Sequence, residues 1–221
     1  DWLEADEYGG DSDGVRLRRG PRIAVLYATG TIVSGRGGFD PTDGELAGSD
    51  TLVENIRRIR DDRWIRGIVL RIDSPGGSSV ASDVILRELQ LTKKADPDRP
   101  IVVSMSDLAA SGGYYIALGG DAIVAQPGTL TGSIGVYTRK FVTTGSLEKL
   151  GANIEATSDG RHAEIYSPDR RFTPEERKKV EESMQVVYDQ FIERTGAARH
   201  MTPEKVDEIA QGRVWTGEQA R

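Results

Sequence analysis

Three short segments of the sequence carry the residue types that acyl transfer requires. That chemistry needs a nucleophile, a base within hydrogen-bond reach, and N–H donors aimed where an oxyanion forms. In Asp73-Ser74-Pro75-Gly76-Gly77 an apolar run ends at a pair of glycines, which let the backbone approach a ligand closely and present N–H groups at a helix start. In Ala109-Ala110-Ser111-Gly112-Gly113-Tyr114-Tyr115 a serine flanked by small residues opens a helix, with its hydroxyl at the positive end of the helix dipole. Thr129-Leu130-Thr131-Gly132-Ser133-Ile134-Gly135 joins strand to strand through small polar residues. Taken alone, Ser111 reads equally well as a helix N-cap, while the glycine pair and Ser133 read as turn residues. The chain has no cysteine, which excludes a thiol nucleophile, disulfides and thiolate metal sites.

The elements that must hold these segments alternate along the chain. Ile23 to Val33 is rich in β-branched residues and reads as a strand running into the flexible loop Gly35-Arg36-Gly37-Gly38. Ser49 or Asp50 is expected to cap a helix that has Leu52, Val53, Ile56 and Ile59 on one face. The run Gly67 to Ile72 reads as the next strand, and a helix follows from Ser78 with Val80, Val84, Ile85 and Leu89 in phase, closing near Lys93-Lys94. Strands are then expected over Ile101–Met105, near Ala122 to Ala125 and from Ser133 to Tyr137, with a helix opening near Ser111. Alternation of this kind implies parallel βαβ units, and it sets Gly76-Gly77 and Ser111-Gly112 just beyond the ends of consecutive parallel strands, where open α/β folds place their ligands. Thr173-Pro174-Glu175-Glu176 is a capping box with proline at the first helical position, leading a long helix to Gly196, and Thr202-Pro203 and Thr216-Gly217-Glu218-Gln219 signal two further helix starts.

Bulk properties remove several function classes. The net charge is −6, from 29 basic and 35 acidic residues spread along the chain, so no single-sign surface for nucleic acid is expected. The longest wholly apolar run, Ile23 to Ala28, falls far short of the roughly 18 residues a spanning helix needs. Residues 1–22, acidic and then basic and Gly-rich, read as a linker or peripheral segment, and residues 23–221 as one serine-bearing repeat. The start at Asp1 without methionine, and the helix signal at Thr216 with the chain stopping two residues after Gln219, suggest a piece cut at both ends.

With these motifs in hand, Arg71 to Gly77, Met105 to Tyr115, Leu130 to Gly135 and Gly212-Arg213-Val214-Trp215-Thr216-Gly217 together resemble the signal peptide peptidase A (protease IV) family, in order and in spacing, from about Ile23 to the end. The resemblance implies a fold of the α/β class, a crotonase/caseinolytic-protease-like ββα spiral whose mostly parallel sheet is flanked by helices. It also implies a Ser/Lys dyad that cleaves peptide bonds without metal or cofactor. By motif position Ser111 matches the nucleophile, Ser133 the serine that orients the lysine, and the N–H groups of Gly77 and Gly112 the oxyanion hole. Its implied substrates are cleaved signal peptides and other apolar extended peptides, and its implied setting is the outer face of the cytoplasmic membrane. There it would form homo-oligomers, held by a membrane segment outside this chain.

A Ser/Lys dyad works only if burial drops the lysine far below its free value of about 10.4, so that a neutral amine takes the serine proton. In short members of the family that lysine aligns with Ala163, in Arg161-His162-Ala163-Glu164-Ile165-Tyr166-Ser167-Pro168. The preferred account is a long, two-repeat member in which the N-terminal repeat of the same protein supplies the lysine; an engineered Lys→Ala change or a natural inactive homologue are the alternatives. Lys93, Lys94, Lys149, Lys178, Lys179 and Lys205 read as solvated helix charges, Lys140 as a surface charge, His162 as a solvated loop histidine ahead of a Ser/His/Asp partner for Ser111, and His200 as a peripheral pre-helix residue. Two other functions compete: a crotonase-like acyl-CoA enzyme, which leaves Ser-Gly-Gly-Tyr unexplained, and a non-catalytic peptide-binding or assembly half.

Overall fold

The computed structural model describes residues 20–221, so the expected linker at 1–22 lies almost wholly outside the described residues. The chain divides into two compact units, one formed by residues up to Gly135 together with Phe191–Arg221, the other by Val136–Gln190.

The first unit is built on a six-stranded sheet. Strand β1 (Arg22–Thr29) pairs in parallel with β5 (Ile65–Ser74), and β5 in parallel with β6 (Ile101–Ala110). The far edge of β6 is shared, with β7 (Ala122–Val124) along its first half and β8 (Leu130–Gly132) along its last three residues, both parallel. The short β9 (Val214–Thr216) closes that edge, antiparallel to β8. A small second sheet joins β2 (Thr31–Val33), β4 (Gly44–Gly48) and β3 (Gly38–Asp40), in that order. Helices α1 (Ser49–Asp61), α2 (Ser79–Ala95) and α3 (Gly112–Ala117) complete the βαβ alternation, α1 packing on α2 and α2 on α3.

The core follows from the apolar phase of these elements. Leu70 and Ile72 of β5, Ile101 and Val103 of β6, Ile56 of α1, Ile85 and Leu89 of α2 and Ile116 of α3 are all buried in one continuous core. Between α1 and α2, Glu88 is buried against the guanidinium groups of Arg57, at 3.0 Å, and Arg60. Burial pushes its carboxyl up, but hydrogen bonds and charge from the two arginines outweigh that and leave it below the usual carboxylate range. Arg99 donates to the carbonyls of Ile59 and Arg60 at 2.8 and 3.1 Å, satisfying orphan acceptors at the end of α1.

Several expectations are corrected. The strand expected over 23–33 breaks at Gly30, where φ is +84°, and its second part leaves the main sheet for the small one. The Gly-rich segment after it, expected as a flexible loop, contributes β3; Asp40 Oδ1 accepts from the N–H groups of Thr42 and Asp43 and turns the chain into β4. Neither Ser49 nor Asp50 caps α1. Gly48 occupies the cap position with no side-chain bond, and Ser49 Oγ instead accepts from Gly35 N–H at 3.2 Å. The strand expected at 133–137 does not form: β8 stops at Gly132 because Gly132 and Ser133, at φ +79° and +49°, both turn left-handed, which ends an extended run.

The strand expected to stop at Met105 runs on to Ala110. Its register against β5 shifts on the way: Ile72 pairs with Met105, but Ser74 pairs with Ala109. The irregular stretch is held by Arg71, which donates to Ser104 Oγ, Met105 O and Ser106 Oγ, and by Thr129 Oγ1, which donates to Ser106 O at 2.7 Å. With those polar groups satisfied, pairing resumes and delivers the chain to Ser111.

The second unit contains α4 (Thr144–Lys149), turns, and the first part of α5 (Pro174–Arg199), whose remainder from Phe191 belongs to the first unit. The expected capping box is present: Thr173 N–H donates to Glu176 at 2.9 Å, and Glu176 N–H donates to Thr173 Oγ1 at 3.2 Å. Arg170 adds two hydrogen bonds of 2.7 Å to the same carboxylate. The Arg170 guanidinium, helped by Thr173 N–H, holds the Glu176 carboxyl down at about 2 against an ordinary 4.5. A carboxyl depressed in the folded state contributes stability that is complete above its unfolded value and is lost as pH falls toward the folded one. Glu176→Gln is therefore expected to lower the melting temperature at pH 7. Thermal melts followed by circular dichroism should show the gap from the parent closing between about pH 4.5 and about 2; a gap that persists at pH 2 would contradict this.

In the first unit, α6 (Pro203–Ile209) starts as expected, with Thr202 Oγ1 accepting from Lys205 N–H. At Thr216 the reciprocal bonds of a capping box form with Gln219, and a turn follows.

Candidate active site

Ser111 stands directly after β6 and before α3, with φ +51° and ψ −120°. A strained strand-to-helix turn of this kind lifts a side chain clear of its own backbone. Although Ser111 occupies the N-cap position, its side chain makes no capping hydrogen bond. The N-cap reading of the sequence therefore fails on geometry: the hydroxyl is not committed to the helix, and the half-buried residue remains accessible. Its backbone is fixed on both sides, Ser111 N–H donating to Gly132 O at 2.9 Å and Ser111 O accepting from Tyr115 N–H at 2.8 Å.

The glycine pair lies against this turn. A Cβ on Gly76 would stand 2.5 Å from Gly112 N and 2.9 Å from Ser111 Cβ, and one on Gly112 would stand 3.2 Å from Gly77 N. Only glycine permits that approach. Ile32 N–H donates to Gly76 O and Ser78 N–H to Ile32 O, each at 2.8 Å. This is a parallel bridge in which Gly77 faces away from Ile32, so its own N–H is directed elsewhere. Among the described residues no backbone acceptor takes the N–H of Gly77, or that of Gly112 in the first turn of α3. Ser74, fully buried, fixes the loop by donating from Oγ to Gly30 O at 2.6 Å and accepting from Gly76 N–H at 3.1 Å.

Ser133 is the neighbour of Ser111 across the sheet. Ala110 pairs with Gly132, so the two serines follow directly from paired residues on strands that lie about 4.8 Å apart. Both have positive φ. Ser133 N–H donates to Arg213 O at 2.7 Å, and the Trp215 ring covers Gly132, which explains why a Gly-Arg-Val-Trp-Thr-Gly motif far along the chain belongs to the site. Ser111, Ser133, Gly77 and Gly112 are thus brought together in the first unit.

Tyr115 and Asp83 are functional candidates that the sequence reading passed over. Tyr115 Oη donates to Asp83 Oδ1 at 2.8 Å, and Arg194 lies 3.5 Å from the same oxygen. Burial first, and then the hydrogen bond and charge of Asp83, push the Tyr115 phenol up to about 12. The signal available was Asp83 one and a half turns into α2 and Tyr115 four residues after Ser111, but no local pattern links positions so far apart.

Ala163, His162 and Lys140 belong to the second unit. Ala163 is exposed in a run of turns. His162 is half-buried, with a buried Nδ1 that has no hydrogen-bond partner among the described residues. Lys140 is not the solvated charge the sequence suggests: its ammonium donates to Ile165 O at 2.9 Å and sits 4.5 Å from the centroid of the Phe172 ring.

A serine raised on a strained turn, beside two uncommitted N–H groups at the ends of parallel strands, is the layout of enzymes that transfer acyl groups through a serine. The comparisons with known proteins agree. Residues 93–221, more than half of the chain, match the model of peptidase family S49. The chain is 42% identical over 200 residues to the chloroplastic serine protease SPPA of Arabidopsis thaliana, an alignment covering 90% of this chain and 29% of that protein. It is 42% identical over 202 residues to Protease 4 of Salmonella typhi, covering 91% and 31%. Against a protein named as a candidate signal peptide peptidase in Enterococcus faecium it is 33% identical over 199 residues, covering 90% and 57%. The chain belongs to peptidase family S49, whose fold is of the crotonase/caseinolytic-protease kind. It spans about 30% of the length of the first two relatives.

Proposed function

We propose that this chain is the nucleophile-bearing repeat of a Ser/Lys-dyad endopeptidase that degrades cleaved signal peptides, with the lysine supplied by another repeat of the same protein. The observation that carries the reading is Ser111 on its strained turn, its hydroxyl free of the helix and the Gly77 and Gly112 N–H groups beside it. In this scheme a neutral lysine amine takes the proton from Ser111 Oγ as the oxygen attacks the scissile carbonyl carbon. The carbonyl oxygen becomes an oxyanion facing the N–H groups of Gly77 and Gly112. Collapse breaks the C–N bond, the ammonium returns its proton to the leaving amine, and water then hydrolyses the acyl-serine. Ser133 holds the amine in place.

Two observations support a lysine from outside this chain. Alanine occupies the position that carries lysine in short family members, and the chain aligns to under a third of its long relatives. The name of the Enterococcus relative supports cleaved signal peptides as substrates. Such peptides are apolar and bind extended, by backbone pairing with small side-chain pockets. Residues 23–221 then form one repeat, and homo-oligomers on the outer face of the cytoplasmic membrane are its expected setting. No described helix is long and apolar enough to cross a membrane; the reading assigns anchoring to a segment outside this chain.

The test compares the isolated 221-residue chain with the intact protein for hydrolysis of an apolar peptide and for covalent labelling by a fluorophosphonate. Turnover and labelling at Ser111 are expected in the intact protein, and no turnover in the isolated chain. Ordinary turnover by the isolated chain would overturn the shared dyad, and labelling at another residue would overturn the assignment of the nucleophile.

A further inference from the structure

Gly77 and Gly112 sit on separate stretches of chain, each at the start of a helix: Gly77 precedes Ser78, the N-cap of α2, and Gly112 is the first residue of α3. An oxyanion must meet both N–H groups at about 2.7–3.1 Å. The spacing of these two helix starts therefore decides whether the pair can act together. α3 has six residues, too few to hold its own geometry without tertiary support.

That support converges on one carboxylate. Tyr115, in α3, is tied by its amide to Ser111 O and by its phenol to Asp83 of α2 at 2.8 Å. Arg194 of α5 reaches the same Asp83 oxygen at 3.5 Å, and Phe191, one turn earlier, packs edge-on against the Tyr115 ring with centroids 4.9 Å apart. The residue before Asp83 is Ser82, and a Cβ on Gly112 would stand 2.6 Å from its hydroxyl. Asp83 thus follows directly on a residue of α2 that lies close against the start of α3.

We infer that Tyr115, Asp83 and Arg194 form a positioning array that sets the separation of the Gly77 and Gly112 N–H donors, so that the phenol–carboxylate hydrogen bond governs the rate of acyl transfer rather than substrate affinity. The inference rests on the reading of Ser111 as nucleophile. None of the three side chains is asked to touch substrate. Tyr115 acts through the backbone it shares with Ser111 and Gly112, and Asp83 through the helix that starts just after Gly77. Tyr114 supplies the matched comparison, being on the same helix, pushed up in pKa by burial, and stacked at a tilt on the same Phe191.

The test measures kcat and KM for an apolar peptide, and the rate of fluorophosphonate labelling, in the intact protein. Tyr115→Phe and Asp83→Ala are each expected to lower kcat and the labelling rate by roughly 10- to 100-fold, the scale of a sub-ångström to ångström misplacement, with KM within about twofold. Asp83→Asn, which keeps an acceptor for the phenol, should lose less than Asp83→Ala. The Tyr115→Phe/Asp83→Ala double variant should lose no more than Asp83→Ala alone, because Tyr115→Phe breaks a contact that Asp83→Ala already removes. Tyr114→Phe should leave both rates within about twofold. The inference fails if Tyr115→Phe turns over as fast as the parent, if Tyr114→Phe loses as much, or if the loss appears in KM with kcat unchanged. Turnover retained in Ser111→Ala would instead overturn the nucleophile on which the inference rests.

Discussion

Ser111→Gly in the intact protein is expected to abolish peptide hydrolysis while raising the melting temperature. The two effects have one origin. At φ +51° and ψ −120° a residue with a Cβ is held in a region that costs about 1–3 kcal/mol. Glycine relieves that strain at an entropic cost of about 0.5–1 kcal/mol, and no capping hydrogen bond is lost, since the serine side chain makes none. The balance favours glycine by about 1 kcal/mol, or roughly 2–4 °C for a chain of this size. Ser111→Ala keeps the Cβ and its strain, so its stability should stay within about 0.5 kcal/mol of the parent. Both variants lose the hydroxyl oxygen proposed to attack, and turnover should fall by roughly 10⁴-fold or more. A Ser111→Gly protein that melts lower than the parent would mean that the hydroxyl is a structural group, and the proposed role would go with it.

Gly77→Ala is the second large effect, and here activity and stability fall together. Gly77 has φ +152°, and although its N–H points away from Ile32, a Cβ added there would strike the Ile32 carbonyl oxygen. Strain at a glycine-only conformation and overpacking against backbone each cost about 1–3 kcal/mol. Alanine keeps the backbone N–H, but the collision displaces it, and misplacing one oxyanion donor costs up to roughly 10²–10³-fold in kcat. A companion series separates the two losses. In Gly112→Ala the new methyl meets Ser82 Oγ at 2.6 Å, with Gly76 Cα and Gly77 N at 3.2 Å. Adding Ser82→Ala removes the first contact but not the others, so the double variant should regain part of its melting temperature while its kcat stays low. Full kcat in Gly77→Ala would contradict the expected displacement of its N–H.

The parts of this molecule that sequence makes legible are those governed by local periodicity and local chemistry. The starts of α2, α5 and α6 are announced locally, and the structure has Ser78, Thr173 and Thr202 accepting capping bonds there. The apolar phase read for α2 holds only in part, since Ile85 and Leu89 are buried but Val80 and Val84 are exposed. The juxtaposition of Gly76-Gly77 with Ser111-Gly112 was also legible, because parallel alternation brings the ends of consecutive strands to one side. What stayed hidden depends on partners distant in sequence. The continuation of β6 past Met105 needs Arg71 and Thr129 to satisfy the irregular stretch, and a pattern within residues 101–110 cannot report either. The end of β8 turns on backbone angles at Gly132 and Ser133 that a small, polar, strand-compatible sequence does not reveal. The bond from Tyr115 to Asp83 crosses 32 residues, and nothing at either position marks the other.

The shift of register within β6 has an implication for how such a site can change. The first half of the strand, paired with β5 and β7, is anchored in the buried core. The last three residues, paired with β8, carry Ser111. Because the two halves are offset by an irregular stretch with its own side-chain supports, displacement at the serine end is absorbed there instead of propagating along a continuous ladder. The protein thereby separates evolvability from foldability. Substitutions that retune the turn, its glycines or its tyrosine can be tried by selection while the hydrophobic half of the same strand keeps the chain folded.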